Sequence, residues 1–412
     1  MRGMRRWSLL LALLLAFGLA VAACGGDDED DGDGGDVAAE TGGGGDEATD
    51  EPIVIGAAVD LTGQMAPFDG PAVTAAEIQV DKINEEGGVD GRQLRLRVID
   101  HQLDPERTKS AAIELIDGGA DVLLVTCDVD FATPAVQEAI TRGVLAVAPC
   151  IGTDQMGPER FGDQGKLAFS LGNVAQDEGA AMAEYAMEQG WERAATVTDN
   201  VIVYFQDVVK AFDARYTELG GEIVARESWT NGDGTIQNVV SALDGTNVDV
   251  IATSTAFDDM PALVGGLRSL GNDTPIICGW SCDGNYWLPE GTDNFYVVTY
   301  ASVFGDDPSD EVKELIAAME EQEQAPGTGG FVTGAASIDA IAAAIEETGG
   351  TEGEALAEAF EGFDGLETIS GAISFSEEFH SVFGREYRVM EVQNSKPSFV
   401  ELRAASSPAE IE

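Results

Sequence analysis

From Ile53 onward, short runs rich in β-branched residues alternate with segments whose apolar positions recur at helical spacing. IVIGAAV (53–59) precedes a helical pattern from about Pro71 to Glu86, LRLRVID (94–100) precedes one from Glu106 to Ile116, and DVLLVTC (121–127) precedes one from Pro134 to Thr141; VLAVAP (144–149) comes next. Runs of this length bounded by turn residues predict strands, and the order βαβα requires parallel strands with helices on both faces of the sheet. After Gly172 the pattern restarts with AATVTD (194–199), a helix from about Phe205 to Glu218, EIVARESW (222–229), a helix from Ile236 to Leu243, DVIATST (249–255) and PIICGW (275–280). The halves also echo each other: Asp121-Val122 opens a strand followed by Phe131-Ala132-Thr133-Pro134, and Asp249-Val250 opens one followed by Phe257 and Pro261. The expected fold class is therefore α/β, with two Rossmann-like, doubly wound lobes. Open α/β sheets bind ligands beyond the carboxyl ends of their strands, so two facing lobes predict one cleft lined from both sides.

The segment before Ile53 has a different character. Arg2, Arg5 and Arg6 precede an uncharged apolar run from Leu9 to Ala23, the pattern of an export signal and too short to span a bilayer. The run ends in Val21-Ala22-Ala23-Cys24, which resembles a bacterial lipobox. That resemblance makes residues 1–23 a lipoprotein signal peptide and Cys24 the lipidated first residue of the mature chain. Cleavage at an ordinary A-x-A site with Cys24 incidental is the alternative, and the paired arginines leave the twin-arginine route open beside the general one. Residues 24–52 are rich in Gly and acid: twelve acidic residues and no basic one fall between Gly25 and Glu51. With almost no apolar surface to offset the entropy of ordering, this stretch reads as an extended tether.

Charge narrows the function. Of 412 residues, 44% are apolar, enough for sizeable cores, but 22 Lys and Arg stand against 75 Asp and Glu, a net charge of −53. Setting aside the three signal arginines and the twelve tether acids leaves 19 basic against 63 acidic side chains, so the acidity belongs to the whole surface. Such a surface repels phosphate backbones, and nucleic-acid binding is excluded. His101 and His380 are the two histidines of the chain, which disfavours a His-ligated metal or a Ser-His dyad. No G-x-G-x-x-G follows a strand, no Walker A is present, and GWSCD lacks the final glycine of G-x-S-x-G. No cofactor, metal or catalytic residue is expected.

The opening IVIGAAVDLTGQMAPFDG, the pattern Asp81-x-Ile83-Asn84-x-x-Gly87-Gly88-Val89-x-Gly91-Arg92, and an acidic strand tip before Asp104-Pro105 resemble type I periplasmic binding proteins of the branched-chain amino acid class, which serve ABC importers. The resemblance runs from about Ile53 to Leu402 and implies a chain that crosses between lobes three times. Carried onto this sequence it places lobe 1 at 53–172 plus 303–374 and lobe 2 at 173–302 plus 375–402, with residues 403–412 as a loose tail. The hinge strands fall near Phe169-Ser170-Leu171, Val297-Val298-Thr299 and Ile373-Ser374-Phe375.

The same resemblance and the cleft argument select candidate ligand-binding residues. After the first strand stand Gln64 and Phe68, the aromatic at the rim. After the third, Cys127-Asp128-Val129-Asp130-Phe131 occupies the place of a serine-rich run that in amino-acid receptors holds the ligand carboxylate. Asp128 and Asp130 repel a carboxylate unless they point away, and capping a helix is the other role open to one of them. Cys150, Gly152 and Thr153 follow the fourth strand. From the second lobe come Tyr204, Thr255, Phe257 and Asp283; the last either meets a ligand ammonium or forms a turn with Gly284. Trp280 walls the pocket or fills core. Cys127 and Cys150 end strands expected to be neighbours about 5 Å apart, and Cys278 and Cys282 share a loop, so two disulfides are expected in an exported chain. A four-Cys zinc site is the rival reading and lacks C-x-x-C spacing.

The reading is thus a non-catalytic solute receptor, monomeric and lipid-anchored through Cys24 on the outer face of the cytoplasmic membrane. It captures a small polar molecule, an amino acid or related compound, and hands it to an ABC-transporter permease. A ligand-binding sensor of the same fold is one alternative, and an enzyme working with carboxylates alone is another.

Overall fold

The computed structural model describes residues 51–411; the signal segment, Cys24 and the tether up to Asp50 lie outside the described residues. The chain runs β1 (Ile53–Val59), α1 (Ala66–Glu85), β2 (Leu94–Asp100), α2 (Pro105–Asp117), β3 (Val122–Val125), α3 (Val129–Arg142) and β4 (Leu145–Ala148). The short helix α4 (Pro158–Phe161) leads into β5 (Ala168–Asn173). The alternation then repeats: α5 (Ala175–Glu188), β6 (Arg193–Asp199), α6 (Val203–Glu218), β7 (Glu222–Trp229), α7 (Ile236–Leu243), β8 (Val250–Ser254), α8 (Met260–Ser269), β9 (Ile276–Cys278) and β10 (Phe295–Thr299). Three helices follow, α9 (Asp310–Glu321), α10 (Phe331–Thr348) and α11 (Gly353–Gly362), and then β11 (Asp364–Thr368), β12 (Gly371–Ser374), β13 (Ser381–Val382), β14 (Tyr387–Gln393) and β15 (Lys396–Arg403).

Two large sheets result. The first has the order β13-β5-β4-β3-β1-β2 with every pair parallel. In the second, β15-β14-β10-β9-β8-β6-β7, the strands from β10 to β7 are parallel and β14 and β15 add antiparallel at one edge. The echo between halves has a structural basis. Asp121 Oδ2 accepts the amide of Val54, and Asp249 Oδ2 accepts the amide of Arg193, so each aspartate ties the start of its strand to the start of the neighbouring one.

Each sheet has its own apolar core. Ile55, Leu123, Val147 and Phe169 are fully buried in the first, and Ile251, Ile276 and Met390 in the second. A further buried cluster joins residues of both halves, among them Phe68, Cys127 and Cys150 with Tyr204, Trp280, Tyr300 and Tyr387. Burial of side chains this large stabilises by roughly 1.5–3 kcal/mol each.

Four boundaries differ from the sequence expectations. Helix α1 starts at Ala66 and α3 at Val129, so Pro71 and Pro134 lie inside these helices instead of opening them. Both prolines sit near the amino end, and α3 is initiated earlier because Asp128 accepts the amides of Asp130 and Phe131. The chain passes from the first sheet to the second after β13 and not near Ile373–Phe375, because Ser381–Val382 pairs with β5; Ser170 donates to His380 O and Val174 to Val382 O, both at 2.8 Å. The end of the chain is not loose. Ala409 is buried and donates its amide to Gln176 O at 2.9 Å, and Ser406 hydrogen-bonds Glu184.

Candidate functional site

The loops at the carboxyl ends of the strands are fixed mainly by buried carboxylates. Asp60, at the end of β1, accepts the amides of Gly63 at 2.6 Å and Met65 at 2.9 Å, which folds the Leu61-Thr62-Gly63 turn and starts α1. Asp69, one residue after Phe68, accepts Asp60 N and the Thr126 hydroxyl on Oδ2 and Cys127 N on Oδ1. It thereby locks the loop after β1 to the loop after β3, and burial, the largest influence, pushes its carboxyl up to about 7. In the second lobe Asp199 plays the corresponding part, accepting the Thr255 hydroxyl at 2.8 Å and the Asn231 amide at 3.0 Å.

These loops border a small, partly open pocket. Met65, Phe68, Cys127 and Asp128 line it from the first lobe, facing Ile202, Tyr204, Phe205, Ala256, Phe257, Trp280 and Ser281 from the second. Its walls are aromatic: the Phe68 ring stands edge-on to Trp280 with centroids 5.3 Å apart, and Tyr204 packs against Phe205 at 5.7 Å. Phe257 reaches the wall with a φ of 59°, a left-handed conformation that costs a bulky residue about 1–3 kcal/mol and gathers at functional sites. Tyr204 donates its hydroxyl to Glu178 Oε1 at 2.6 Å, and the same oxygen accepts the Trp280 amide at 3.0 Å. One carboxyl beneath the pocket therefore positions two of its walls.

Of the residues selected from sequence, Phe68, Asp128, Tyr204 and Phe257 meet in this pocket. Gln64 is exposed and borders a second, outer space with Phe257, Tyr286 and Trp287. Gly152 does not line the pocket, but a Cβ there would stand 2.6 Å from the Tyr204 ring, so it leaves the ring its room. Cys150 is paired with Cys127, Cα atoms 4.9 Å apart, and Cys278 with Cys282, 6.0 Å apart. The remaining candidates do not line the pocket and contact other protein groups. Thr153 is buried against Asp207, Thr255 is spent on Asp199, and Phe131 is half-buried in the inter-lobe cluster. Asp130 pairs with Arg160 at 2.6 Å and accepts Val203 N at 3.3 Å, a bridge between the lobes. Asp283 is enclosed: it accepts the Thr299 hydroxyl at 2.6 Å and the amides of Gly284 and Gly329, and burial raises its pKa.

Met65, Ile202, Phe205, Ala256, Ser281 and Glu178 were not singled out by sequence. Ile202 and Phe205 flank Tyr204 at the start of α6, a signal that the loop-to-helix junction and not one residue faces the cleft. Glu178 stands in an alanine-rich helix, AQDEGAAMA, in which eleven of fourteen residues are buried, so an acid there has little solvent face to occupy.

Residues 52–397 match the periplasmic binding protein family. The Leu/Ile/Val-binding protein homolog 3 of Brucella melitensis is 24% identical over 327 residues, covering 79% of this chain and 87% of its own. The leucine-, isoleucine-, valine-, threonine-, and alanine-binding protein of Pseudomonas aeruginosa is 23% identical, covering 79% of this chain and 86% of its own. In fold, the chain is similar to the crystal structure of the branched-chain amino acid transporter substrate binding protein of Streptococcus pneumoniae in complex with isoleucine. That comparison gives a TM-score of 0.74 at 22% identity, covering 86% of this chain and all of that one.

Proposed function

Since this chain belongs to the periplasmic binding protein family, we propose that it is the extracytoplasmic solute-binding receptor of an ABC importer. It captures a small polar solute, an amino acid or related compound, by closing two lobes over it. The observation that carries this reading is the pocket itself, whose wall is shared between loops at the carboxyl ends of β1 and β3 on one sheet and of β6, β8 and β9 on the other. A guest held between two such walls is released when they part, and a receptor needs that reversal.

The lobes are assigned as residues 53–172 with 303–382, and 173–302 with 383–402, the strand pairing of β13 supporting the later third boundary. The receptor binds without altering covalent bonds and docks on a membrane permease as a monomer. It is retained at the outer face of the cytoplasmic membrane through a diacylglyceryl Cys24. The two cysteine pairs form disulfides in that oxidising setting, and Cys127–Cys150 then fastens the loops after β3 and β4 beside the guest.

A thermal-shift and calorimetric screen of residues 51–412 against amino acids, amines, small acids and neutral polar solutes tests this. One solute should raise the melting temperature in proportion to its concentration and be recovered unchanged. A screen in which no solute shifts the transition, or in which the bound solute is converted, ends the proposal.

A further inference from the structure

We infer that the pocket selects a small organic cation, an amine or quaternary ammonium ion without a carboxylate; this rests on the receptor reading and names its substrate class. Asp128 is the one lining residue that can carry charge among those described, and no Lys, Arg or His lines the space. The guanidinium of Arg160 is held by Asp130.

The backbone donors at the head of α3 are already used. The amides of Asp130 and Phe131 point to Asp128 Oδ1 at 2.9 and 3.2 Å, so the chain supplies its own carboxylate where a bound carboxylate would otherwise find N–H groups. Asp128 Oδ2 takes no hydrogen bond from the described residues, and the residue as a whole is only 2% exposed. Above about pH 7, where Asp128 is ionised, a carboxylate guest would set two like charges together with no cation among the lining residues.

An ammonium group meets the opposite situation. Oδ2 of Asp128 accepts it, and the wall it would meet is aromatic, Phe68, Tyr204, Phe257 and Trp280 among its residues, a side-chain type that attracts cations. Burial and then neighbouring Asp130 push the Asp128 carboxyl up to about 7 against the opposing pull of the Phe131 and Asp130 amides and of Arg160, and a cation on Oδ2 adds to that pull. Asp283 does not compete for the guest, since Thr299, Gly284 and Gly329 enclose it.

The test uses pairs that differ by a carboxylate: 3-methylbutylamine with leucine, 2-phenylethylamine with phenylalanine, and choline with glycine betaine. Each is titrated into residues 51–412 by calorimetry. In at least one pair the cation should bind about tenfold or more tightly than its carboxylate partner. Asp128→Asn keeps an oxygen to cap α3, so the fold survives, and should weaken that cation by about tenfold to a hundredfold, the worth of a charged hydrogen bond. The inference is overturned if the carboxylate member of a pair binds as tightly as its amine, if Asp128→Asn leaves the amine's affinity unchanged, or if no cation binds. A neutral or anionic solute that raises the melting temperature would end the cation assignment and leave the receptor reading standing, whereas silence across the whole screen ends the receptor reading itself.

Discussion

Glu178 shows how much can rest on one buried carboxyl. Fully buried as the fourth residue of α5, it is pushed up to about 8, burial being the largest cause, while Asp69, Asp128 and Asp177 are each raised to about 7 for the same reason. Each keeps a proton in the folded chain at a pH where the unfolded chain has lost it. Their contribution is complete below about pH 4 and drains away as the pH climbs through 7 to 8, by at most about 1.4 kcal/mol per pH unit for each group. Asp100 and Asp233 are shifted downward and act in the opposite sense, but both lie near the surface. The melting temperature should therefore fall between pH 5 and 8. Glu178→Gln retains an oxygen for Tyr204 and Trp280 and has no proton to lose, so its melting curve should depend less on pH and stand above the parent's at pH 8. An unchanged slope would acquit Glu178. At this scale the sequence is only partly legible. Phe68, Tyr204 and Phe257 could be read because loops after strands face the cleft and large rings there have few other places to go. Thr255 and Asp283 could not, because a polar side chain in such a loop bonds to a guest or to the protein, and its protein partner lies far off in sequence: Asp199 is 56 positions from Thr255, Gly329 is 46 from Asp283.

Among the elements, the contact between α1 and α10 depends on Gly334. A Cβ there would stand 1.9 Å from the carbonyl oxygen of Ala72, so the two backbones meet with no room for a methyl group. Gly179 does the same for α5 against α6, where a Cβ would come within 2.5 Å of Val208 O. Gly334→Ala should cost about 1–3 kcal/mol through the forced separation, seen as a lower midpoint in urea unfolding with an unchanged slope. A midpoint within error of the parent would mean that α10 shifts freely on α1. The central parallel strands β1, β3, β4 and β8 were legible because each is a dense apolar run with a turn signal at either end, whereas β11, β14 and β15 were not read. Helix starts were less so. A proline reads as a beginning, yet Pro71 and Pro134 are each the sixth residue, in the second turn, of helices that Asp60 and Asp128 start earlier. The short β13 escaped notice because two residues, Ser381-Val382, carry no periodicity at all.

For the molecule as a whole, 63 acidic side chains against 19 basic ones beyond the tether leave a surface that repels itself. Ion pairs such as Arg142–Asp117 and Arg226–Asp213 use up several of the few cations, leaving most carboxylates unmatched. Added salt shortens the reach of this repulsion from roughly 30 Å at 0.01 M to roughly 3 Å at 1 M. The melting temperature should rise as sodium chloride increases over that range at pH 7.5, and a flat profile would show that repulsion does not limit stability. The strip of chain after β15 lies along α5 and α6, with Ala409 bound to Gln176 O and Arg215 reaching Ser406. A dye, an affinity handle or a surface linker fused at that end would pull on the very helix that carries Glu178, whose carboxyl is bonded to Tyr204 and Trp280. Reporters for solute capture are better placed at an exposed position such as Leu270, leaving that strip undisturbed.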